Sequence, residues 1–158
     1  MKRISLPAAA IALLSVIAAS CIGVLSSDKA KMIESGTNYK VFSVEDFNEL
    51  IASAVDVYVT LGETNPVIRI EADPEIIDGI SVENKSGTVC INDKNNIAEK
   101  KNKPKAIAVI SVKNLDKVFA TAGSTVVFDK PVIGELFNTN STITVDSAKV
   151  AAYRQPEL

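Results

Sequence analysis

Val55-Asp56-Val57-Tyr58-Val59-Thr60-Leu61 has the clearest local pattern in this chain. Apolar side chains at every second position alternate with Asp56, Tyr58 and Thr60. Strict alternation is typical of a strand with one buried face and one solvent-facing side. We therefore expect the valines to lie in a core and Tyr58 to lie on the exposed side.

Further short extended segments flank this strand, and turn-forming residues separate them. The stretch 83–87 is rich in turn residues and lies between two branched, apolar stretches at 80–82 and 88–91, which predicts a β-hairpin. Ala106–Val112 is almost continuously apolar, which indicates a strand covered on both faces. The sequence therefore predicts an all-β body.

The residues just before the alternating strand fit two structures. Ser43 and Asp46 can cap a helix, and Phe47, Leu50 and Ile51 fall on one helical face. A single turn followed by a strand fits equally well, because the alternation begins directly after Ala54.

Two C-terminal segments resemble each other, with one deletion. Gly123-Ser124-Thr125 matches Asn140-Ser141-Thr142, and apolar, threonine and aspartate positions match on both sides. Recurring short β units are the mark of stacked rungs. We expect a β-helix or solenoid-like stack of short strands, with a β-sandwich or an α+β fold as alternatives. Val126 and Ile143 should then lie side by side, roughly 4.8 Å apart. The predicted core residues are Val55, Val57, Val59, Ile68, Ile70, Val109, Val126 and Ile143.

The N-terminal segment has the features of an export signal. Lys2 and Arg3 precede an apolar run at 4–17 and small residues at 18–20, so we expect residues 1–20 to be a signal peptide. Ala18-Ala19-Ser20-Cys21 resembles the lipobox of bacterial lipoproteins, which predicts lipidation of Cys21. Ordinary secretion is the alternative. Residues 21–40 are polar and are expected to be a tether.

Composition excludes several classes of function. Without Lys2 and Arg3 the 17 basic residues become 15, against 19 acidic ones, so the net charge is −4; this is unsuited to nucleic acid. The sequence has no histidine, which removes Ser-His-Asp and Cys-His nucleophiles and ordinary transition-metal sites. We predict no catalytic activity, no cofactor and no metal.

Two groups of residues are candidates for a site. Tyr58, flanked by Asp56 and Thr60, is the best candidate for a ligand contact, because an exposed aromatic ring between polar neighbours suits recognition. Glu71 and Asp73, with Arg69 beside them, could support carboxylate chemistry on a polysaccharide. An ordinary solvent-facing strand edge is the preferred explanation of the second group, because alternating charged residues are expected on the wet face of a strand without any site.

We expect no binding site in the stretch 92–105 and no reactive thiol at Cys90. Asp93, Asn95 and Asn96 offer oxygen atoms to calcium but lack the glycine and distal glutamate of a binding loop. Five lysines follow within 94–105 and could contact anionic surfaces. We expect a solvated loop in both cases, and Cys90 is expected to be a small apolar strand residue.

Several stretches, in order and spacing over about 41–150, resemble the head GIN domain family, catalogued as auto-transporter adhesins and common among lipoproteins of Bacteroidetes-type bacteria. The resemblance implies an all-β fold with a helix-like winding of strands, favours a strand at 50–54, and brings no established catalytic residues. The stretches are Phe47-Asn48-Glu49-Leu50-Ile51, Val55 to Glu63, Ile68-Arg69-Ile70-Glu71-Ala72-Asp73, Ser86-Gly87-Thr88-Val89-Cys90-Ile91, Ile110-Ser111-Val112-Lys113-Asn114-Leu115 and Ala122-Gly123-Ser124.

Family members continue through further Gly-Ser-type rungs, whereas this chain stops at Leu158. We expect the domain at 41–158 to be C-terminally truncated, or to pair its open end with a partner, self-association included. The predicted function is a cell-envelope lipoprotein, held in the outer membrane by its lipid, that presents an adhesin-like or structural β domain to a glycan or protein ligand. A small carboxylate-dependent, polysaccharide-acting enzyme is the alternative.

Overall fold

The computed structural model describes residues 30–94 and 105–153. Within them the chain forms twelve strands, one short 3-10 turn at Ile77–Gly79 and one helix, so the all-β prediction is confirmed. The strands are β1 (Ala30–Ser35), β2 (Tyr39–Val44), β3 (Glu49–Ser53), β4 (Val55–Leu61), β5 (Val67–Glu71), β6 (Ile80–Lys85), β7 (Thr88–Asp93), β8 (Ala106–Val112), β9 (Lys117–Thr121), β10 (Thr125–Phe128), β11 (Glu135–Asn138) and β12 (Thr142–Val145), and the helix is α1 (Ser147–Tyr153).

Two mixed sheets enclose one core. The seven-stranded sheet has the order β1-β2-β5-β8-β4-β10-β12, and the five-stranded sheet has the order β11-β9-β3-β7-β6. Side chains from both sheets, such as Val57 and Leu50, belong to the same buried cluster. Each sheet therefore has an inner face that packs on the core and an outer face that points away from it.

Three strand pairs with short turns repeat one arrangement: β3–β4, β9–β10 and β11–β12. The pair β7–β8 repeats it without a short turn, with β7 parallel to β3 and β8 parallel to β4. The first strand of each pair lies in the five-stranded sheet and the second in the seven-stranded sheet, and equivalent strands run parallel. Val126 pairs with Ile143, so the predicted juxtaposition of these residues is confirmed. Val57 pairs with Val126 in the same way, which makes β3–β4 a third copy that the sequence repeat did not include.

The strands β1, β2, β5 and β6 do not continue this stack. β1, β2, β5 and β8 are joined by antiparallel pairings, and β6 pairs antiparallel with β7, which confirms the predicted hairpin. A solenoid of the whole body is therefore not confirmed, and the fold is mostly β with two mixed sheets.

The turns inside the strand pairs need left-handed backbone. φ is 61° at Ala54, 78° at Gly123 and 51° at Asn140. Glycine adopts this conformation without strain, and asparagine tolerates it better than most residues. The two triplets therefore mark equivalent turns, as predicted. Ala122, with φ of 55°, is an additional residue in the β9–β10 turn and accounts for the deletion in the repeat.

Most of the predicted core is buried, but Val109 is not part of it. Six of the predicted residues are at most 1% exposed: Val55, Val57, Val59, Ile68, Ile70 and Val126. Ile143 is half-buried and packs against the core. In β8 the inward positions are Ala108 and Ile110, so Val109 points to the outer face.

The predicted tether was too long. Residues 30–35 form β1 and β2 begins at Tyr39, and Ala30 pairs with Val44. β1 is almost entirely exposed, Met32 and Ile33 included, so its sequence lacks the alternation of apolar and polar residues that indicates a strand. Residues 49–53 form a strand and not a helix, as the family resemblance implied.

Candidate functional site

Tyr58, Asp56 and Thr60 share the outer face of the seven-stranded sheet, but the predicted exposure is wrong. Tyr58 is 6% exposed and Thr60 2% exposed. α1 covers Tyr58: the Tyr153 ring stacks on it with 4.0 Å between the ring centroids, and Val150 packs against it. Alternation separates the two faces of a strand, but it gives no information about a helix that returns to cover one face.

This cover changes the chemistry of Tyr58. Burial, followed by a hydrogen bond with Tyr153, raises the pKa of Tyr58 to about 12, because removal from water disfavours the phenolate. Thr60 Oγ1 is buried and has no hydrogen-bond partner among the described residues.

Asp56 is held by contacts within the fold. Its Oδ1 accepts hydrogen bonds from the Thr125 amide at 3.1 Å and from Lys105 Nζ at 3.4 Å. Lys105 Nζ also donates to the Gly123 carbonyl at 2.5 Å. Asp56 therefore ties together the starts of β4, β8 and β10.

α1 is the functional element that sequence reasoning missed. Asp146 Oδ1 accepts a hydrogen bond from the Lys149 amide at 3.0 Å, as an N-cap residue does. The signal was an aspartate followed by the helix-favouring run Ala148-Lys149-Val150-Ala151-Ala152.

An open cleft of about 410 Å³ lies on the same sheet, where β5 ends and β8 begins. We call it the β5–β8 cleft. Its lining brings together Glu71 and Asp73, two of the three residues of the carboxylate hypothesis. Its volume lies within the range of about 300–1,000 Å³ that ligand sites occupy. The lining residues are Thr37, Asn38, Glu71, Ala72, Asp73, Pro74, Lys105 and Ile107.

Arg69, the third residue of the carboxylate hypothesis, lies beside the cleft. It contacts both Glu71 and Tyr39. Its Nε donates to Glu71 Oε1 at 2.8 Å, and its guanidinium carbon lies 4.4 Å from the centroid of the Tyr39 ring. The Tyr39 hydroxyl donates to Glu34 Oε1 at 2.7 Å, and this hydrogen bond raises the pKa of Tyr39. A half-buried aromatic ring and an ion pair therefore border the cleft.

The cleft is chemically mixed. Glu71 and Asp73 supply carboxylates, Lys105 an ammonium group, Asn38 an amide and Ile107 an apolar surface. Such a set of donors and acceptors beside an aromatic ring can bind a polyhydroxylated or charged ligand. Among the described residues, no group of three or more His, Cys, Asp or Glu side chains is arranged to hold a metal ion.

The other predicted residues fall in different places. Asp93 ends β7 and is 4% exposed, while Cys21, Asn95, Asn96, Lys100, Lys101 and Lys103 lie outside the described residues. Cys90 is a buried strand residue, as predicted. In 30–94 and 105–153, the structure has no helix with the length and apolarity needed to cross a bilayer.

A family model matches residues 46–153, and the family is described as "Putative auto-transporter adhesin, head GIN domain". This match spans more than half of the chain, so the protein belongs to that family. The predicted resemblance is confirmed. No curated protein matches the chain.

Solved structures from Bacteroides and Parabacteroides species have a similar fold. A "putative adhesin" from Bacteroides fragilis is 20% identical with a TM-score of 0.55, over 78% of this chain and 55% of that one. One from Parabacteroides distasonis is 17% identical with a TM-score of 0.51, over 75% and 58%. A "putative lipid binding protein" from Parabacteroides distasonis is 14% identical with a TM-score of 0.50, over 72% and 54%.

At these identities the likeness shows the fold alone. The chain spans about half the length of the solved structures that it matches. The family is described as adhesins and not as enzymes. The family match therefore supports an adhesin-like β domain. Proteins of this class are typical of the cell surface or envelope.

Proposed function

We propose that this protein is a lipid-anchored domain of the cell envelope that binds a glycan or a protein through the outer face of its seven-stranded sheet. The observation that carries the proposal is the β5–β8 cleft, bordered by Tyr39 and the Arg69–Glu71 ion pair, in a chain of an adhesin family.

The ligand-binding step depends on groups that are accessible on this face. Tyr39 is half-buried and Glu71 and Arg69 have side chains that are 42% and 40% exposed, so a ligand can reach all three. Of the residues predicted from sequence, Asp56 adjoins the cleft through Lys105. Contact between a ligand and Tyr58 requires α1 to move away from the sheet.

Binding is tested with the full chain, purified in detergent, on a panel of bacterial and host glycans and envelope proteins. Glu71→Gln should weaken binding about tenfold, which corresponds to about 1.4 kcal/mol, because it removes one charge of the ion pair. Glu49→Gln is the matched control: Glu49 also pairs with a cation, Lys117, but lies in the five-stranded sheet. Binding that both variants retain would place the ligand site elsewhere.

The anchor is tested separately. We propose that residues 1–20 are removed, that Cys21 carries lipid, and that residues 21–29 tether the body to the outer membrane. Metabolic labelling with a fatty-acid probe should label the wild-type protein and not Cys21→Ala. Unlabelled protein that is released into the medium regardless of Cys21 would indicate ordinary secretion.

A second candidate function rests on Glu71 and Asp73 lining one cleft. Paired carboxylates of this kind carry out glycoside hydrolysis in other proteins. The same glycan panel, analysed for reaction products, distinguishes the two functions. Turnover that Glu71→Gln abolishes would replace the binding proposal with an enzymatic one.

A further inference from the structure

The β5–β8 cleft has apolar walls as well as charged groups. Glu71, Ile107 and Asp56 are direct neighbours on β5, β8 and β4, so an apolar side chain separates two carboxylates. Ala72 and Pro74 also line the cleft. A ligand in the cleft therefore meets hydrocarbon and a carboxylate side by side.

The two basic residues at the cleft are already engaged within the fold. Arg69 Nε donates to Glu71 Oε1 at 2.8 Å. Lys105 Nζ lies 3.4 Å from Asp56 Oδ1 and donates to the Gly123 carbonyl. Both cationic groups are thus neutralised by carboxylates of the protein, and an anionic ligand would have to compete with those carboxylates.

Asp73 supplies a negative charge that is not compensated. In 30–94 and 105–153, no hydrogen bond or ion pair engages its carboxylate, and the residue is exposed. Its backbone is nevertheless held, because its carbonyl accepts hydrogen bonds from the amides of Ile76 and Ile77 at 2.9 and 3.0 Å. The cleft therefore presents an unpaired carboxylate at a defined position.

Tyr39, the aromatic residue beside the cleft, is poorly suited to stack on a sugar ring. The Arg69 guanidinium carbon lies 4.4 Å from the centroid of the Tyr39 ring, which places a cation over one ring face. Gly36 packs against the same ring, and a Cβ atom at this glycine would overlap it. The Tyr39 hydroxyl donates to Glu34. The ring face toward the ion pair and the hydroxyl proton are thus both occupied.

Resting on the proposed function, we infer that the ligand of the β5–β8 cleft is a protein and that the cleft accepts a lysine or arginine side chain of that protein. Its methylene stem would pack on Ala72, Pro74 and Ile107, and its cationic end would reach Asp73 and the exposed Glu71. Long basic side chains combine an apolar stem with a charged tip in this way. The unpaired carboxylate and the apolar walls both favour such a side chain over a neutral sugar.

Nuclear magnetic resonance of the full chain in detergent tests the inference. The probes are the blocked tripeptides glycyl-lysyl-glycine and glycyl-arginyl-glycine, and glycyl-glutaminyl-glycine is the uncharged control. We expect the two basic peptides to bind with a millimolar Kd and to shift the backbone amide signals of residues 71–73 and 105–107. The glutamine peptide should leave these signals unchanged.

Two variants test the role of the unpaired charge. Asp73→Asn should raise the Kd of the basic peptides about fivefold, at the upper end of what an exposed ion pair contributes. Glu75→Gln is the matched control, because Glu75 is exposed and lies two residues away but does not line the cleft. It should change the Kd by less than about twofold. Both side chains are exposed, so we expect both variants to keep the thermal midpoint of the wild type.

The results separate this inference from the proposed function. Cleft signals that neither basic peptide shifts, or a Kd that Asp73→Asn and Glu75→Gln change equally, would overturn the inference. A glycan that Glu71→Gln releases, in a protein whose cleft does not respond to basic peptides, would also overturn it but would keep the cleft as the ligand site. A panel ligand that Glu71→Gln leaves bound contradicts the proposed function alone, because the peptide shifts are measured at the cleft itself.

Discussion

Val57 and Tyr58 are neighbours in β4 that face opposite sides of the seven-stranded sheet. Val57 is 0% exposed in the core between the sheets, and Tyr58 is 6% exposed beneath α1. The first side chain is covered by a whole opposing sheet and the second by a helix of seven residues. We therefore expect substitutions at the two positions to have different costs.

Val57→Asp should lower the free energy of unfolding by about 4 kcal/mol or more, because it places an unpaired charge in the core. Tyr58→Ser should cost about 2 kcal/mol, less than a typical large-to-small core change, because α1 can adjust. Urea unfolding of both variants measures the difference. Equal, small effects would contradict the assignment of the two faces.

Tyr58 should also make stability dependent on pH. Its pKa is raised from 10.0 to about 12 by burial, so the folded state holds the phenolic proton more tightly than the unfolded state. The resulting stabilisation is complete below pH 10 and is lost as the pH rises toward 12. Urea titrations between pH 9 and pH 12 should show this decrease in wild type and a smaller one in Tyr58→Phe. An unchanged slope in Tyr58→Phe would mean that the phenol is open to water.

At the scale of elements, some turns and strands can be recognised from the residues that form them, whereas others cannot. Gly123-Ser124-Thr125 and Asn140-Ser141-Thr142 revealed two strand pairs because their turns use residues that favour left-handed backbone. The β3–β4 turn adopts the same conformation at Ala54, a residue with no such preference, so the third copy was missed. α1 spans about two turns, too few for a helical period to be recognised.

The capping of α1 can be tested at Asp146. Asp146→Ala should cost about 1 kcal/mol of stability and should increase the exposure of Tyr58, measured by tyrosine fluorescence quenching. Asp129→Ala is the control, since Asp129 lies one strand pair earlier and its carboxylate accepts from the Leu61 amide. It should destabilise the protein without uncovering Tyr58. Identical quenching in the two variants would contradict the role of α1 as a cover.

At the scale of the whole molecule, sequence predicted the all-β class and part of the stacking but not the antiparallel pairing of β1, β2, β5 and β8. β1, β2 and β5 belong to no repeat, and β5 pairs with β8 across about forty residues, for example Ile68 with Ile110. Pairing over such distances is decided by tertiary packing and not by local preference. The β5–β8 cleft depends on this long-range pairing, which is why only the spacing of Glu71 and Asp73 indicated it in the sequence.

The parallel register of β10 and β12 connects the sequence repeat with the two-sheet core. Thr125 pairs with Thr142, so their Cα atoms are about 4.8 Å apart, within reach of a disulfide. The double variant Thr125→Cys, Thr142→Cys should therefore form an intrachain disulfide, measured by mass spectrometry without reduction. The variant Thr125→Cys, Thr144→Cys should form no intrachain disulfide, because a shift of two residues moves the Cα atoms beyond about 7 Å. A disulfide in the second variant and none in the first would contradict the parallel stack.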